Sequence, residues 1–297
     1  MSTAVMPESR SVTALAKVEM IRLAKHPVFL IGFAANAFFL ATSVGSSDDY
    51  YNPPITTAFF IGLFGMIAMF RLTRSMEKLE EAVGSTPTGI QDRVRALCAA
   101  TALPGVVGVI SFIALLAEVD ASAPWALGAW SESQRVAIFF GEVVVACIGG
   151  PLLGVAAARW LRFPGAVAAL VIGVLFVVLL GEGMADAHPQ SRPLTLLRLV
   201  SPWAQFTSVN SEDDKLASWL GSPALWCGWI AALCVLAVLG ALLKGAEGEQ
   251  RQKLVRAGAV VGLIGVAFLM LATFLGPDQP VLTSPAGSSV LTGPVGG

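Results

Sequence analysis

VAIFFGEVVVACIGGPLLGVAAA, residues 136–158, holds a single acidic or basic side chain, Glu142, in 23 positions. About 20 predominantly apolar residues suffice for an α-helix to cross the ~30 Å hydrocarbon core of a bilayer. Gly149, Gly150 and Pro151 would weaken such a helix in water, but in a membrane neighbouring helices can re-satisfy the freed backbone groups. The rest of the 297-residue chain has the same character, with 55% apolar and only 13% charged residues. Soluble domains carry about 25% charged residues, so a water-soluble fold is excluded.

Six further apolar runs are bounded by charge or proline: Val28 to Val44, Ile55 to Phe70, Ala96 to Ala117, Gly165 to Gly181, Ala224 to Leu243 and Ala257 to Leu275. With Val136 to Ala158 they predict an all-α, polytopic membrane helix bundle of seven spans. The net charge of −1 conceals the useful electrostatics. Fifteen of the nineteen Lys and Arg fall in four alternate segments: the N-terminus, 71–95, 159–164 and 244–256. Arg135, Arg192, Arg198 and Lys215 fall on the other side. The positive-inside rule then makes residues 1–27 cytoplasmic, 244–256 a cytoplasmic linker, and 276–297 an extracytoplasmic tail. That tail is rich in Gly and Pro and carries Asp278 as its one charge, a composition expected to be disordered. A cleaved signal peptide is the alternative for the first run, since Ala41, Thr42 and Ser43 are small residues behind an apolar core. The 27 residues ahead of that core are longer than a normal n-region.

Chemistry within the chain finds little support. The spacing of a P-loop occurs once, Gly84 to Gly89, but Ile90 and Gln91 stand where the phosphate-binding lysine and the magnesium-binding hydroxyl belong. His26 and His188 lie outside the spans, and every aspartate lies in a loop. The acidic groups Asp48, Asp49 and Glu212 to Asp214 read as solvated loop clusters. Cys98, Cys147, Cys227 and Cys234 form no C-x-x-C pair, and Cys227 and Cys234, seven residues apart on a helix, are ~10 Å apart, too far for a disulfide. They read as small packing residues. No catalytic residue, metal site or cofactor is expected, and the bilayer rather than nucleic acid is the expected surface partner.

Two polar residues lie deep in spans. Glu142 sits ~9 Å along the helix from Val136, where it must face a cavity or another helix. It could line a substrate path, carry a coupling proton, pair with a cation such as Arg135, or hold helices together. Asn36, in the first span, must also find a partner, because an unpaired amide in lipid costs several kcal/mol. Gly150 with Gly154, and Gly258 with Gly262, have the four-residue spacing that permits close helix approach, and Pro151 should bend its span.

Among the loops, residues 10–26 place Arg10, Lys17, Glu19, Arg22, Lys25 and His26 on one half of a helical wheel. Val12, Ala16, Met20 and Leu23 occupy the other, as in a helix lying along the inner surface. In 71–95, Arg71 to Val83 favours helix, Gly84 suits a C-terminal cap, and Thr88 with Gln91 has the spacing of a capping box. A helix pair projecting from the membrane is the expectation. The loop 182–223 carries Leu194, Leu196, Leu197, Leu199, Val200 and Trp203, a patch expected at or in the outer leaflet.

Three of these segments, ALAKVEMIRLAKHP (14–27), EEAVGSTP (80–87) ahead of Arg93, and LRLVSPW (197–203), together resemble the permease subunit of bacterial type-2 ABC exporters. The resemblance covers residues 14–243 in layout. It implies an inner-surface elbow helix, a six-span core over 28–243 with a coupling helix in 71–95, and short outer helices between the fifth and sixth spans. Thr86, Pro87, Gln91 and Arg93 would then touch a separately encoded P-loop ATPase that holds ATP and magnesium, and Asn36 and Glu142 would stand near the transport path. The resemblance also implies a homodimer or a heterodimer with a second permease, in the bacterial plasma membrane, exporting an amphipathic drug, antibiotic or lipid. The seventh span, 257–275, and the tail depart from the six-span family core. A proton-coupled secondary transporter using Glu142, and a non-transporting scaffold or sensor, are the alternatives from other functional classes.

Overall fold

The computed structural model describes residues 8–43, 52–83, 89–122, 130–187, 191–210, 215–277, 281–284 and 287–290. Its helices are α1 (Glu8–Ala24), α2 (Pro27–Ser43), α3 (Asn52–Thr57), α4 (Phe64–Val83), α5 (Ile90–Ala100), α6 (Ala102–Ser122), α7 (Glu132–Phe139), α8 (Ala146–Trp160), α9 (Ala166–Ala187), α10 (Arg192–Val200), α11 (Pro223–Leu243) and α12 (Gly248–Phe274). Two π-helical segments, Ala58–Leu63 and Phe140–Val145, join α3 to α4 and α7 to α8. Six continuous helical stretches are long and apolar enough to cross a membrane, and α1 with α2, bent by 66°, supplies the seventh if the pair is one span. Each apolar run of the sequence thus has its helix, and the chain is a multi-pass helical membrane protein.

The helices reach further into the loops than hydropathy alone foretells. The helix of the second span does not end at Phe70 but runs as α4 to Val83, because Leu72 and Met76 bury their side chains and Arg74 and Glu77 pair one turn apart at 3.6 Å. The third span starts early, at Ile90, and α5 passes to α6 with only Thr101 between them. Residues 71–95 are therefore mainly the continuation of two spans. The linker 244–256 shrinks likewise, since α12 begins at Gly248.

The capping box does not form in the expected way. Gly89, in an extended conformation, is the N-cap of α5 with no side-chain bond, and Gln91 turns its amide onto the Leu242 carbonyl at the end of α11. Thr88, Thr86 and Pro87 lie outside the described residues. The tail also departs from expectation. Val281–Ser284 (β3) and Gly287–Val290 (β4) pair antiparallel, and β3 pairs with Lys215–Ser218 (β2), which pairs with Thr207–Asn210 (β1). This four-stranded sheet ties the segment after α12 to the loop between α10 and α11.

The bundle is organised around α8, which packs between α4 and α11. A Cβ on Gly150 would strike the backbone of Gly62, one on Gly154 the backbone of Met66, and one on Gly65 would fall 2.8 Å from the Pro151 ring. These pairings run in the same direction along both helices, so α4 and α8 are parallel, as spans two apart must be. In lipid, helix association relies on such close packing rather than on a hydrophobic driving force. Gly258 and Gly262, which share the same spacing, have nothing within contact distance of an added Cβ. The spacing is a property of sequence; the seam exists only where a second helix lies against it.

Gly154→Val is expected to lower stability in detergent by about 2 kcal/mol, the cost of overpacking a closed contact. Gly262→Val should leave the thermal unfolding midpoint in place. Equal midpoints for the two variants would refute the α4–α8 seam.

Candidate functional site

Polar side chains gather at the two ends of the bundle. At the end where α4, α8 and α11 finish, Glu77 is buried among three cations: it accepts from Arg159 Nη1 at 3.2 Å and pairs electrostatically with Arg74 Nη1 at 3.6 Å and Lys244 Nζ at 3.8 Å. Arg159 is itself only 4% exposed and sends its Nε to the Ala241 carbonyl at 3.2 Å. The residue of α8 that follows the apolar run is thus stitched to both neighbouring helices. Removing Lys244 from water holds its ammonium below the usual lysine range; Glu77 opposes that shift, and Arg162, Arg159 and Arg74 reinforce it.

The N-terminal helix joins the same end. Ala16 and Leu23 are buried and Met20 packs against the core that includes Met69, Leu72, Val94 and Leu97, so the apolar half of the predicted wheel faces α5 and α4. Val18 and Ile21, apolar residues on the charged half, are exposed. The bend follows α1: the His26 backbone N–H bonds Leu23 O, its carbonyl accepts the Leu30 N–H, and Pro27 opens α2. Burial, and then the charge of Arg71, lower the pKa of the His26 imidazole. Of the four residues expected to touch an ATPase, Gln91 and Arg93 are described, both half-buried on the first turns of α5. Gln91 is engaged within the chain, and its Oε1 is buried without a partner.

Asn36 and Glu142 have separate surroundings. Asn36 is 3% exposed and donates across to Ser111 of α6 at 3.5 Å, a helix-to-helix link. Glu142, 4% exposed, sits in the second π-helical segment. Its neighbours come from far along the chain: the Phe206 backbone N–H reaches the carboxylate, and Arg198 and Glu182 lie within electrostatic reach. Its Oε1 has no partner. π-Helical turns carry an extra residue per turn and recur at functional sites.

Sequence reasoning placed Arg198 in a surface loop, whereas it is 1% exposed. It donates to the carbonyls of Gln205 and Leu220, and its guanidinium lies 5.2 Å from the centre of the Phe206 ring. Glu182 accepts the Gln205 N–H at 3.0 Å. Around them Trp130, Phe206 and Trp226 make edge-to-face contacts. The patch on α10 is divided: Leu199 and Trp203 are buried in the protein, and Leu197 and Val200 are exposed. The cysteines act as packing groups, Cys147 against Gly108 and Cys227 over the Ala137 carbonyl.

Removing one partner of a buried ion pair strands the other, at about 3–5 kcal/mol. Arg159→Met and Glu77→Gln should each lower stability by roughly 3 kcal/mol in unfolding experiments, and the double variant by clearly less than the sum. Strict additivity would mean that the two side chains do not interact. Comparison of the chain with models of protein families, with curated proteins and with solved structures finds no match.

Proposed function

We propose that this chain is the membrane-spanning permease of an ATP-driven exporter, working with ATPase subunits encoded separately. The observation that carries the proposal is the paired extension of two spans beyond the apolar region. α4 runs on to Val83 and α5 starts at Ile90, so both helices point at residues 84–89, with α1 laid along α5 and bent by 66° into α2. A rigid two-helix projection braced by a surface helix is a docking post, and it stands at the end richest in Lys and Arg, the cytoplasmic end by the positive-inside rule. Gln91 and Arg93 lie on the first turns of α5, directly after residues 84–89, the stretch to which Thr86 and Pro87 belong in sequence. Ile90 and Gln91, not a lysine and a hydroxyl, follow Gly89, so in this reading ATP and magnesium belong to the partner. Two permease chains, identical or related, would frame an amphipathic cargo in the bacterial plasma membrane.

Co-expression of the tagged chain with a candidate P-loop ATPase subunit should recover both proteins, and Arg93→Glu should reduce substrate-stimulated ATP hydrolysis in vesicles at least ten-fold. Full retention of coupled hydrolysis and export by Arg93→Glu would remove the docking assignment.

A second reading rests on Glu142, a buried carboxylate with an unpartnered oxygen on a π-helical turn. In a proton-coupled transporter such a group picks up and releases the coupling proton. Vesicles holding this chain alone would then accumulate or expel cargo under a pH gradient, and Glu142→Gln would abolish the flux. Flux that needs ATP and the partner, and that is indifferent to the gradient, would refute that reading.

A further inference from the structure

The charged cluster at the ends of α4, α8 and α11 is unbalanced. Among the described residues, Glu77 is the one acidic group acting on Lys244, while Arg74, Arg159 and Arg162 all act on it as like charges. Among the described residues one carboxylate thus stands among four cations, with Arg74, Arg159 and Lys244 within 4 Å of it and Arg162 acting on Lys244. Both Glu77 oxygens are already in use, Oε1 by Arg159 and Lys244 and Oε2 by Arg74. Lys244 Nζ makes no hydrogen bond at 3.8 Å from Glu77, although the side chain is mostly buried. At the turn after α11 two further donors close on Gly245: a Cβ there would fall 2.9 Å from Gln91 Nε2 and 3.1 Å from Arg159 Nη2. An under-neutralised nest of ammonium, guanidinium and amide donors is a site for an anion with several oxygens.

Its depth identifies the source of that anion. Trp160, the last residue of α8, is 55% exposed and hangs its indole N–H on the Gly240 carbonyl at 2.9 Å, and Phe163 is 49% exposed. Exposed aromatic side chains at the end of a span sit at headgroup level. Basic pockets between spans at that level hold acidic lipid headgroups. We propose that the ends of α4, α8 and α11 bind the phosphate of an acidic phospholipid, with Lys244 and Arg162 as its principal ligands and Arg74 and Arg159 shared with Glu77. The site is independent of the permease reading, since it requires only that the helices span a membrane.

The test uses the purified full chain, exchanged from detergent into mixed micelles of phosphatidylglycerol or phosphatidylcholine, with bound lipid counted by native mass spectrometry. The wild-type chain should retain phosphatidylglycerol in preference to phosphatidylcholine. Arg162→Gln with Lys244→Gln should weaken that retention roughly thirty-fold, as expected for two basic residues at a membrane surface. Lys244→Arg, which keeps the charge, should preserve retention, and its unfolding midpoint shows whether changes at this position are tolerated. Equal retention of both lipids, or a preference unchanged in the double variant, would overturn the proposal. Inorganic phosphate is the second arm: displacement of phosphatidylglycerol by millimolar phosphate supports the shared chemistry. A midpoint raised by phosphate with no lipid retained would overturn the lipid as its source.

Discussion

The buried pair of Glu77 and Arg159 sits where the α4–α8 seam leaves the apolar region, and the arrangement of this bundle turns on that seam. Above the pair, Gly62, Gly65, Gly150 and Gly154 let two parallel helices meet backbone to backbone. Such a contact can slide, because small residues every four positions offer several nearly equivalent registers. A carboxylate and a guanidinium with 9% and 4% of their side chains exposed cannot follow a slip without leaving both charges unpaired. Burying them costs several kcal/mol of desolvation, so the pair serves register more than stability. Arg159 also holds the Ala241 carbonyl, so the same side chain fixes α11 against α8, and α11 in turn carries α12 along its length.

The opposite end is closed by a different device. Arg198 is held through backbone carbonyls, its guanidinium donating to the Gln205 and Leu220 oxygens. The chain between α10 and α11 folds around it into a cap that lays Phe206 against Trp226 and over Glu142. The Arg192 guanidinium bonds Thr273 O, Ser222 N–H bonds Ala272 O, and β2 pairs with β3, so α12 is fastened to this cap at three levels. The seventh span is consequently part of the bundle and not an appendage: it buries Leu269 and Ala272 in the same core as Trp226.

The spans were legible because hydropathy is a local property, summed over one helix at a time. Glu142 was legible for the same reason, as the lone carboxylate in its run. Its partners were not, since Glu182, Arg198 and Phe206 lie 40 to 64 positions downstream in what reads as an outer loop. Arg159 reads as a topogenic loop cation because it follows the last apolar residue; the helix expected over Arg71 to Val83 forms as the continuation of α4, and its packing against α8, which no local pattern announces, brings Glu77 to Arg159. The helix ends that missed by more than a residue missed in one direction, too short, because charged residues that end a hydropathy run are good helix formers and can satisfy one another one turn apart. The tail misled for the opposite reason. A four-residue strand has too little pattern to stand out from Gly and Pro, and its stability comes from the strands beside it.

These two fastenings bear on how a force could travel through the protein. Under the permease reading, force enters near residues 84–89, and α4 is the first rigid element to receive it. Glu77 passes the load directly to α8 and α11, since it is bonded to Arg159 and close to Lys244. At the upper end of the glycine seam both α4 and α8 meet π-helical turns, Ala58–Leu63 and Phe140–Val145; the first holds Gly62, where an added Cβ would fall 2.9 Å from the carbonyl of Ala146, the residue just past the second. An extra residue in a turn is the place where a helix can shift register without breaking its neighbours' packing. Glu142 lies within the second of these turns. A displacement arriving along α8 would therefore be felt first at that carboxylate and at the aromatic cap above it, which makes the π-helical layer, rather than the well-packed seam below, the part of the membrane region suited to change shape.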